Sequence, residues 1–247
     1  FSSRRRHTRF RNVTGVQTCA LPICVVGGTY ALGAIQITGT SAALDLNAAI
    51  TSAASLSVSG ASDLGANVTT SGTQTYTGAV TLSGGDRTLT GSTITNSSTI
   101  TGATFSLTET GNAVINGAIS GVNVLSISGT STIGADVSTT GTQTYTGAVT
   151  VSGATRTLTT TGDNVTFSST VNSDSGGARG LTIATGTAAT VQFNDVVGGT
   201  YALGAIQITG TSAALDLNAA ITSAASLSVS GASDLGANVT TSGTQTY

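Results

Sequence analysis

The 247-residue chain carries eight arginines, no lysine, one histidine and ten acidic residues, for a net charge of −2. Only 7% of residues are charged, against about 25% in an ordinary soluble domain, while 38% are apolar. That apolar fraction excludes a disordered polar chain, and the absence of any run of about 18 apolar residues excludes a membrane-spanning helix.

Composition divides the chain at residue 24. His7, Cys19, Pro22 and Cys24 all precede Val25, as do five of the arginines (Arg4, Arg5, Arg6, Arg9 and Arg11). From residue 25 onward three arginines face ten acids, a net charge of −7. The opening segment, FSSRRRHTRFRNVTGVQTCALPIC, offers an arginine run that could meet nucleic acid and an apolar patch too short and polar for a signal-peptide core. Its strings SSRRRHTR and VTGVQTCALPI closely resemble translated sequencing-adapter read-through at the ends of metagenomic contigs. Residues 1–24 are therefore expected to be a non-native, disordered addition, and the two cysteines in it say nothing of redox compartment.

Val25–Tyr76 follows, and returns unchanged as Val196–Tyr247. The residues before the second copy, Thr190–Asp195, match nothing before the first, which places the break between Cys24 and Val25. A looser repeat lies inside: Leu56–Thr90 aligns with Leu125–Thr159 at an offset of 69, and both contain GTQTYTGAVT. GTQTY occurs a third time at Gly243–Tyr247. Because the chain stops where earlier copies continue, a fragment of a longer repetitive protein is expected. Self-similarity of this kind marks an array.

Within the repeats the pattern has period two. Ile35-Gln36-Ile37, Leu44-Asp45-Leu46, Leu56-Ser57-Val58, Val80-Thr81-Leu82, Phe105-Ser106-Leu107, Leu125-Ser126-Ile127, Leu181-Thr182-Ile183 and Val191-Gln192-Phe193 alternate apolar with small polar residues and are punctuated by glycine. This predicts short β-strands. Ala42–Ala54 is the most helix-like window, but Leu44, Leu46, Ala48 and Ile50 keep a spacing of two. Similar strands recur at near-regular intervals, as from Ile35 to Leu56 and from Leu181 to Ile206. The fold class predicted is all-β: a right-handed parallel β-helix (β-solenoid) of stacked coils of about 20 residues, running continuously over 25–247. A tandem β-sandwich array is the alternative. One coil cannot bury its apolar face alone, so coils must stack. Glycine suits the corners, where positive φ is needed, and the lack of proline keeps every N–H available to the ladder.

The internal copies form a small mutation series. Val58, Leu64 and Leu82 become Ile127, Ile133 and Val151, apolar for apolar, whereas Asp63 and Asp86 become Thr132 and Thr155. The repeats preserve an inner face and let the acids vary.

Chemistry is sparse. Residues 25–247 have no histidine, cysteine or lysine, which removes the usual bases, thiol nucleophiles and most metal ligands. The acids Asp45, Asp63, Asp86, Glu109, Asp136, Asp163, Asp174, Asp195, Asp216 and Asp234 are scattered singly and read as solvated turn residues rather than the paired carboxylates of a glycosidase. Gly84-Gly85-Asp86 and Asp174-Ser175-Gly176-Gly177 lack the Gly-Gly-x-Gly-x-Asp calcium pattern and read as ordinary turns. Arg87, Arg156 and Arg179 are isolated and give no nucleic-acid stripe. Tyr76, Tyr145 and Tyr247 of GTQTY could stack on sugars, but packing at a coil edge is the expectation. Thr73 and Thr75 have the spacing of a flat ice-binding face, which a threonine-rich β-protein shows without that function. No catalytic, cofactor-binding or metal-binding residue is assigned, no cofactor is expected, and no enzyme activity is expected.

The strings TGTQTYTGAVTL, LTIATGTAATVQF and LSVSGAS resemble the repeats of giant bacterial surface proteins of the filamentous-haemagglutinin and autotransporter-adhesin kind, over residues 25–247. The resemblance implies a secreted protein at the bacterial outer surface, in which this region is a rigid stalk. It implies partners such as host or environmental glycans and proteins, met through other parts of the protein. A surface-layer or matrix structural protein, and a carbohydrate-binding or carbohydrate-active β-helix, are the alternatives.

Overall fold

In a computed structural model, residues 18–20, 25–39 and 42–247 are described. They form 28 strands and no helix. The expected foreign segment, residues 1–24, lies outside the described residues except for Thr18–Ala20, a strand in parallel register with Ala43–Asp45.

The strands stack as a β-solenoid of about 11 turns. At the usual inter-strand spacing of about 4.8 Å the described stack is about 50 Å long. Three ladders run along it. One passes from Leu46 through Leu64 to Leu82. A second passes from Ile50 through Val68, Leu89, Glu109, Ile127 and Tyr145 to Phe167, Phe193 and Leu217. The third passes from Ile35 through Leu56, Gln74, Ile94, Ala113, Ser131 and Val149 to Val171 and Val197. The strand pairs in all three are parallel, which disposes of the antiparallel sandwich alternative.

The shortest turns show why the sequence folds this way. Ser62–Leu64, Val68–Thr70, Gln74–Tyr76 and Val80–Leu82 are three-residue strands whose first and third residues are buried and whose middle one is not. Three such strands and three corners close one turn, which brings Val80 into register with Ser62. Ile50–Val58 is longer because it bends round a corner and pairs with both Val68–Thr70 and Gln74–Tyr76. Such bent strands join the ladders into hydrogen-bonded networks of 13 and 15 strands. Insertions at corners lengthen some turns, as between Phe167 and its register partner Phe193.

Registry stacks like upon like. Tyr145, Phe167 and Phe193 lie face to face, with ring centroids 5.3 and 5.0 Å apart and planes tilted by only 11° and 6°. Strand spacing fixes that distance, and such stacks contribute about 0.5–1.5 kcal/mol per pair beyond their area. Two glycines show what the corners demand. Gly111 has φ of +139°, and a Cβ there would lie 1.8 Å from the Gly91 carbonyl oxygen. A Cβ on Gly147 would lie 2.4 Å from the backbone of Gly129, one turn away.

The two 52-residue copies fold alike. Ala43–Leu46 and Ile50–Val58 recur as Ala214–Leu217 and Ile221–Val229. Their first strands differ in burial. Leu203, Ile206 and Ile208 are fully buried on the ladder from Leu181–Gly186, whereas Leu32, Ile35 and Ile37 are half-buried. One expected strand begins late: Phe105 and Ser106 precede the strand Leu107–Ile115. Ala103 and Thr104 adopt φ of 49° and 75° instead, in a turn closed by the Phe105 N–H to the Gly102 carbonyl at 2.8 Å.

Candidate functional site

The acids were expected in solvated turns. Asp45, Asp63, Glu109, Asp216 and Asp234 are instead within strands, and the other five are at corners, where two of them share a structural task with asparagines. The side-chain oxygens of Asn67, Asn112 and Asn164 accept the backbone N–H of Thr88, Thr130 and Thr190 in the following turn, at 3.0, 3.0 and 2.8 Å. Asp86 does the same for Ser106 at 2.8 Å and Asp136 for Thr157 at 2.9 Å. Asn67 and Asp136 are equivalent in the 69-residue repeat, so the position needs an acceptor and not a charge. The arginines are used similarly. Arg87 Nε donates to the Leu64 carbonyl at 2.8 Å, and its equivalent Arg156 donates to the Ser152 carbonyl at 2.9 Å. Asp45 and Asp63 are in register, as are Asp216 and Asp234, but no third ligand joins either pair. Among the described residues no three metal-ligating side chains come together.

Glu109 is the exception to the solvated reading. It is fully buried in the second ladder, between Leu89 and Ile127. Asn96 Nδ2 donates to its Oε1 at 3.1 Å. Burial pushes its carboxyl up to about 7, against a smaller downward pull from that hydrogen bond. Asn96 Oδ1 and Glu109 Oε2 are both buried without a hydrogen-bond partner.

The GTQTY tyrosines also depart from expectation. Tyr76 and Tyr145 are in the interior, not at a coil edge, with no exposed surface. Each phenol donates to the Oε1 of the glutamine two residues earlier, Gln74 or Gln143, at 3.0 Å. The glutamine Nε2 donates across the corner to the carbonyl of Thr90 or Thr159 at 2.8 Å. The motif is a polar clasp inside an apolar stack. Burial, and secondarily the Glu109 charge, pushes both phenols well above their ordinary range. No alternation rule finds this clasp, because it places glutamine inside.

A shallow groove on the surface is lined by Thr150, Asn172, Ser173, Asp174, Ser175, Thr200 and Tyr201. The loop Asp174–Arg179 forms one wall. Asp174 accepts from the Gly153 N–H at 2.8 Å, Arg179 Nε and the Gly176 N–H at 3.0 Å, and Ser152 Oγ at 3.1 Å. The Gly153 hydrogen bond above all holds this carboxyl at about 2; desolvation opposes it, and the other three donors add to it. Asn172 Oδ1 accepts from the backbone N–H of Thr200 and Tyr201 at 2.8 and 3.3 Å. Tyr201 is 47% exposed and its copy Tyr30 is 78% exposed. The groove thus offers an aromatic ring, hydroxyls and an amide, with its carboxylate committed to its own loop and to Ser152 and Gly153 of the turn before.

Along the third ladder the outward column Ser57, Thr75, Thr95, Val114, Thr132, Thr150 and Asn172 carries no charge over seven turns. No described helix is long and apolar enough to cross a membrane, which says nothing of membrane β-barrels. In comparisons with protein families, curated proteins and solved structures, the chain matches none.

Proposed function

We propose that residues 25–247 serve as a rigid spacer in a large secreted or surface-displayed bacterial protein, carrying a binding portion away from the cell. One observation carries the reading: the stretch Val25–Tyr76 recurs unchanged as Val196–Tyr247 and folds with the same internal strand pairing, Ile35 on Leu56 and Ile206 on Leu227, while the second copy also stacks on Leu181–Gly186. A recognition site needs its constellation once. A spacer needs length, and in a stack held by nearest-neighbour contacts length comes from duplicating turns. Asp86, Asp136 and Arg87 support a structural rather than catalytic role, since their polar atoms are bonded to the backbone of adjacent turns. The test is to add or remove one full repeat unit, Val25 to Asp195, in the intact protein and measure rod length by electron microscopy alongside adhesion. The rod should lengthen or shorten by the stacked turns, with the binding chemistry of the distal portion unchanged. Saturable, tight binding of cells or glycans by the isolated repeats would overturn the reading.

A second reading, carbohydrate binding, is favoured by the exposed Tyr201 ring over the Asn172–Asp174 groove. It requires Tyr201→Ala to abolish glycan binding that the unaltered chain shows on an array.

A further inference from the structure

Asn96 and Glu109 form a buried pair that is only half bonded. Nδ2 meets Oε1 at 3.1 Å, and the other heteroatoms of the two planar groups, Oδ1 and Oε2, are buried and unpartnered. With Glu109 ionised, both orphan atoms are acceptors and neither can satisfy the other. Leaving two such groups dry is among the costliest arrangements a core can hold. One proton on Oε2 changes the accounting: the O–H can donate to Oδ1 while Nδ2 donates to Oε1, and the acid and amide close a ring of two hydrogen bonds.

Among the described residues no cation offers itself instead. The strands packed against Glu109 present Leu89 and Ile127 in register, and Asn96 across the corner. The titratable groups that feel its charge are the buried phenols Tyr76 and Tyr145, each held on a glutamine. Arg87, on the strand that carries Leu89, is turned outward to the carbonyls of Leu64, Asp86 and Ser83. Arg156 is tied to the Ser152 carbonyl and Arg179 to Asp174. Asp86, on the adjoining corner, accepts the Ser106 N–H.

We propose that Glu109 is carried in the core as a neutral acid doubly bonded to the Asn96 amide, and that its ionisation opens the turns Arg87–Asn96, Leu107–Ile115 and Leu125–Ile127, giving the solenoid a pH-sensitive weak section. The sign follows from linkage. The folded state keeps its proton to a higher pH than the unfolded chain does, so stability is complete below the ordinary glutamate range. It is lost as pH rises from about 4.5 to about 7, and levels off above that. Across that window the opening constant of these turns grows about tenfold per pH unit, as one proton demands.

Glu109 is the sole glutamate in the chain, so selective ¹³C labelling of glutamate gives one side-chain carboxyl resonance. In the intact folded chain it should titrate near neutrality. A midpoint in the ordinary carboxylate range would overturn the proposal. Hydrogen exchange, corrected for the intrinsic pH dependence of the chemistry, supplies the second arm. The three named strands should exchange faster from pH 5 to pH 7, while Val191–Phe193 and Ala214–Leu217 should not. In Glu109→Gln, whose amide can make the same two bonds without titrating, the pH dependence should vanish. Equal pH dependence in the variant and the unaltered chain would overturn the proposal. If the variant does not fold, the carboxyl titration of the unaltered chain decides alone.

Discussion

The Tyr76 phenol donates to Gln74 Oε1 at 3.0 Å in a part of the core with no exposed surface, and the same bond recurs between Tyr145 and Gln143 and between Tyr247 and Gln245. The third copy is exposed: Tyr247 is 52% accessible. One motif thus occurs in two environments, and the difference predicts its energetics. Tyr76→Phe leaves the Gln74 oxygen unsatisfied in the core and should cost about 1–3 kcal/mol of stability. Tyr247→Phe leaves a solvated oxygen and should cost no more than about 0.5 kcal/mol. Urea denaturation of the two variants makes the comparison, and equal costs would show that the buried clasp does not matter.

Phe167 lies between Tyr145 and Phe193, so removing it breaks two stacks and opens a cavity across three turns. Phe167→Ala should cost about 3–5 kcal/mol. Phe167→Leu keeps an apolar knob of similar reach and should cost less than half as much. Denaturation midpoints at constant slope test this. Near-equal losses would mean that the ring faces, rather than the filled volume, hold this part of the stack.

Asp174 ties one wall of the groove to the turn before it. Its carboxyl is held at about 2, below the value in an unfolded chain. A depressed carboxyl stabilises above the unfolded range and loses that contribution as pH falls through the folded value. The loop Asp174–Arg179 should therefore stay closed at pH 5 and release as pH falls towards 2. Asp174→Asn should be released already at pH 5. The Arg179 Nε–H resonance reports this directly, through its protection from exchange when bonded to Asp174.

The period-two runs show the strands, because Leu44, Leu46, Leu56 and Val58 put one apolar face on each, and the regular recurrence of such runs, as from Ile35 to Leu56, is what points to parallel stacking. The close, even spacing of the strands within a turn was harder to see. Several of the inner positions that define it, such as Ser62, Thr70 and Gln74, are polar. An inward polar residue is legible only when its partner is known, and Gln74 finds its partners on Tyr76 and on Thr90 of the next turn. Glu109 left a trace: it follows Leu107 by two, on the face that Leu89 occupies one turn earlier. The groove left none, since Asn172 and Tyr201 meet only because the intervening turn is longer than its neighbours. The late start of the strand at Leu107 was equally hidden, as threonine at positive φ is what sequence rules advise against.

Ile35 and Ile206 are the same residue in the same 52-residue context, with different neighbours. Ile206 is fully buried, in register with Leu181 of one turn and Leu227 of another. Ile35 is in register with Leu56, the equivalent of Leu227, but is only half-buried. Local propensity, strand geometry and the unfolded state are shared by the two sites, so any difference between Ile35→Ala and Ile206→Ala measures the coupling to the adjoining turn alone. Ile206→Ala removes a side chain packed on both sides and should cost about 2–5 kcal/mol. Ile35→Ala removes one that is only half-buried and should cost about half as much or less, because the transfer and cavity terms both scale with the burial lost. Hydrogen exchange of Leu32–Ile37 and Leu203–Gly210 in the two variants localises each effect. Equal losses at the two sites would mean that stability resides within single turns, and the additive, neighbour-coupled stack on which the spacer reading depends would have to be abandoned.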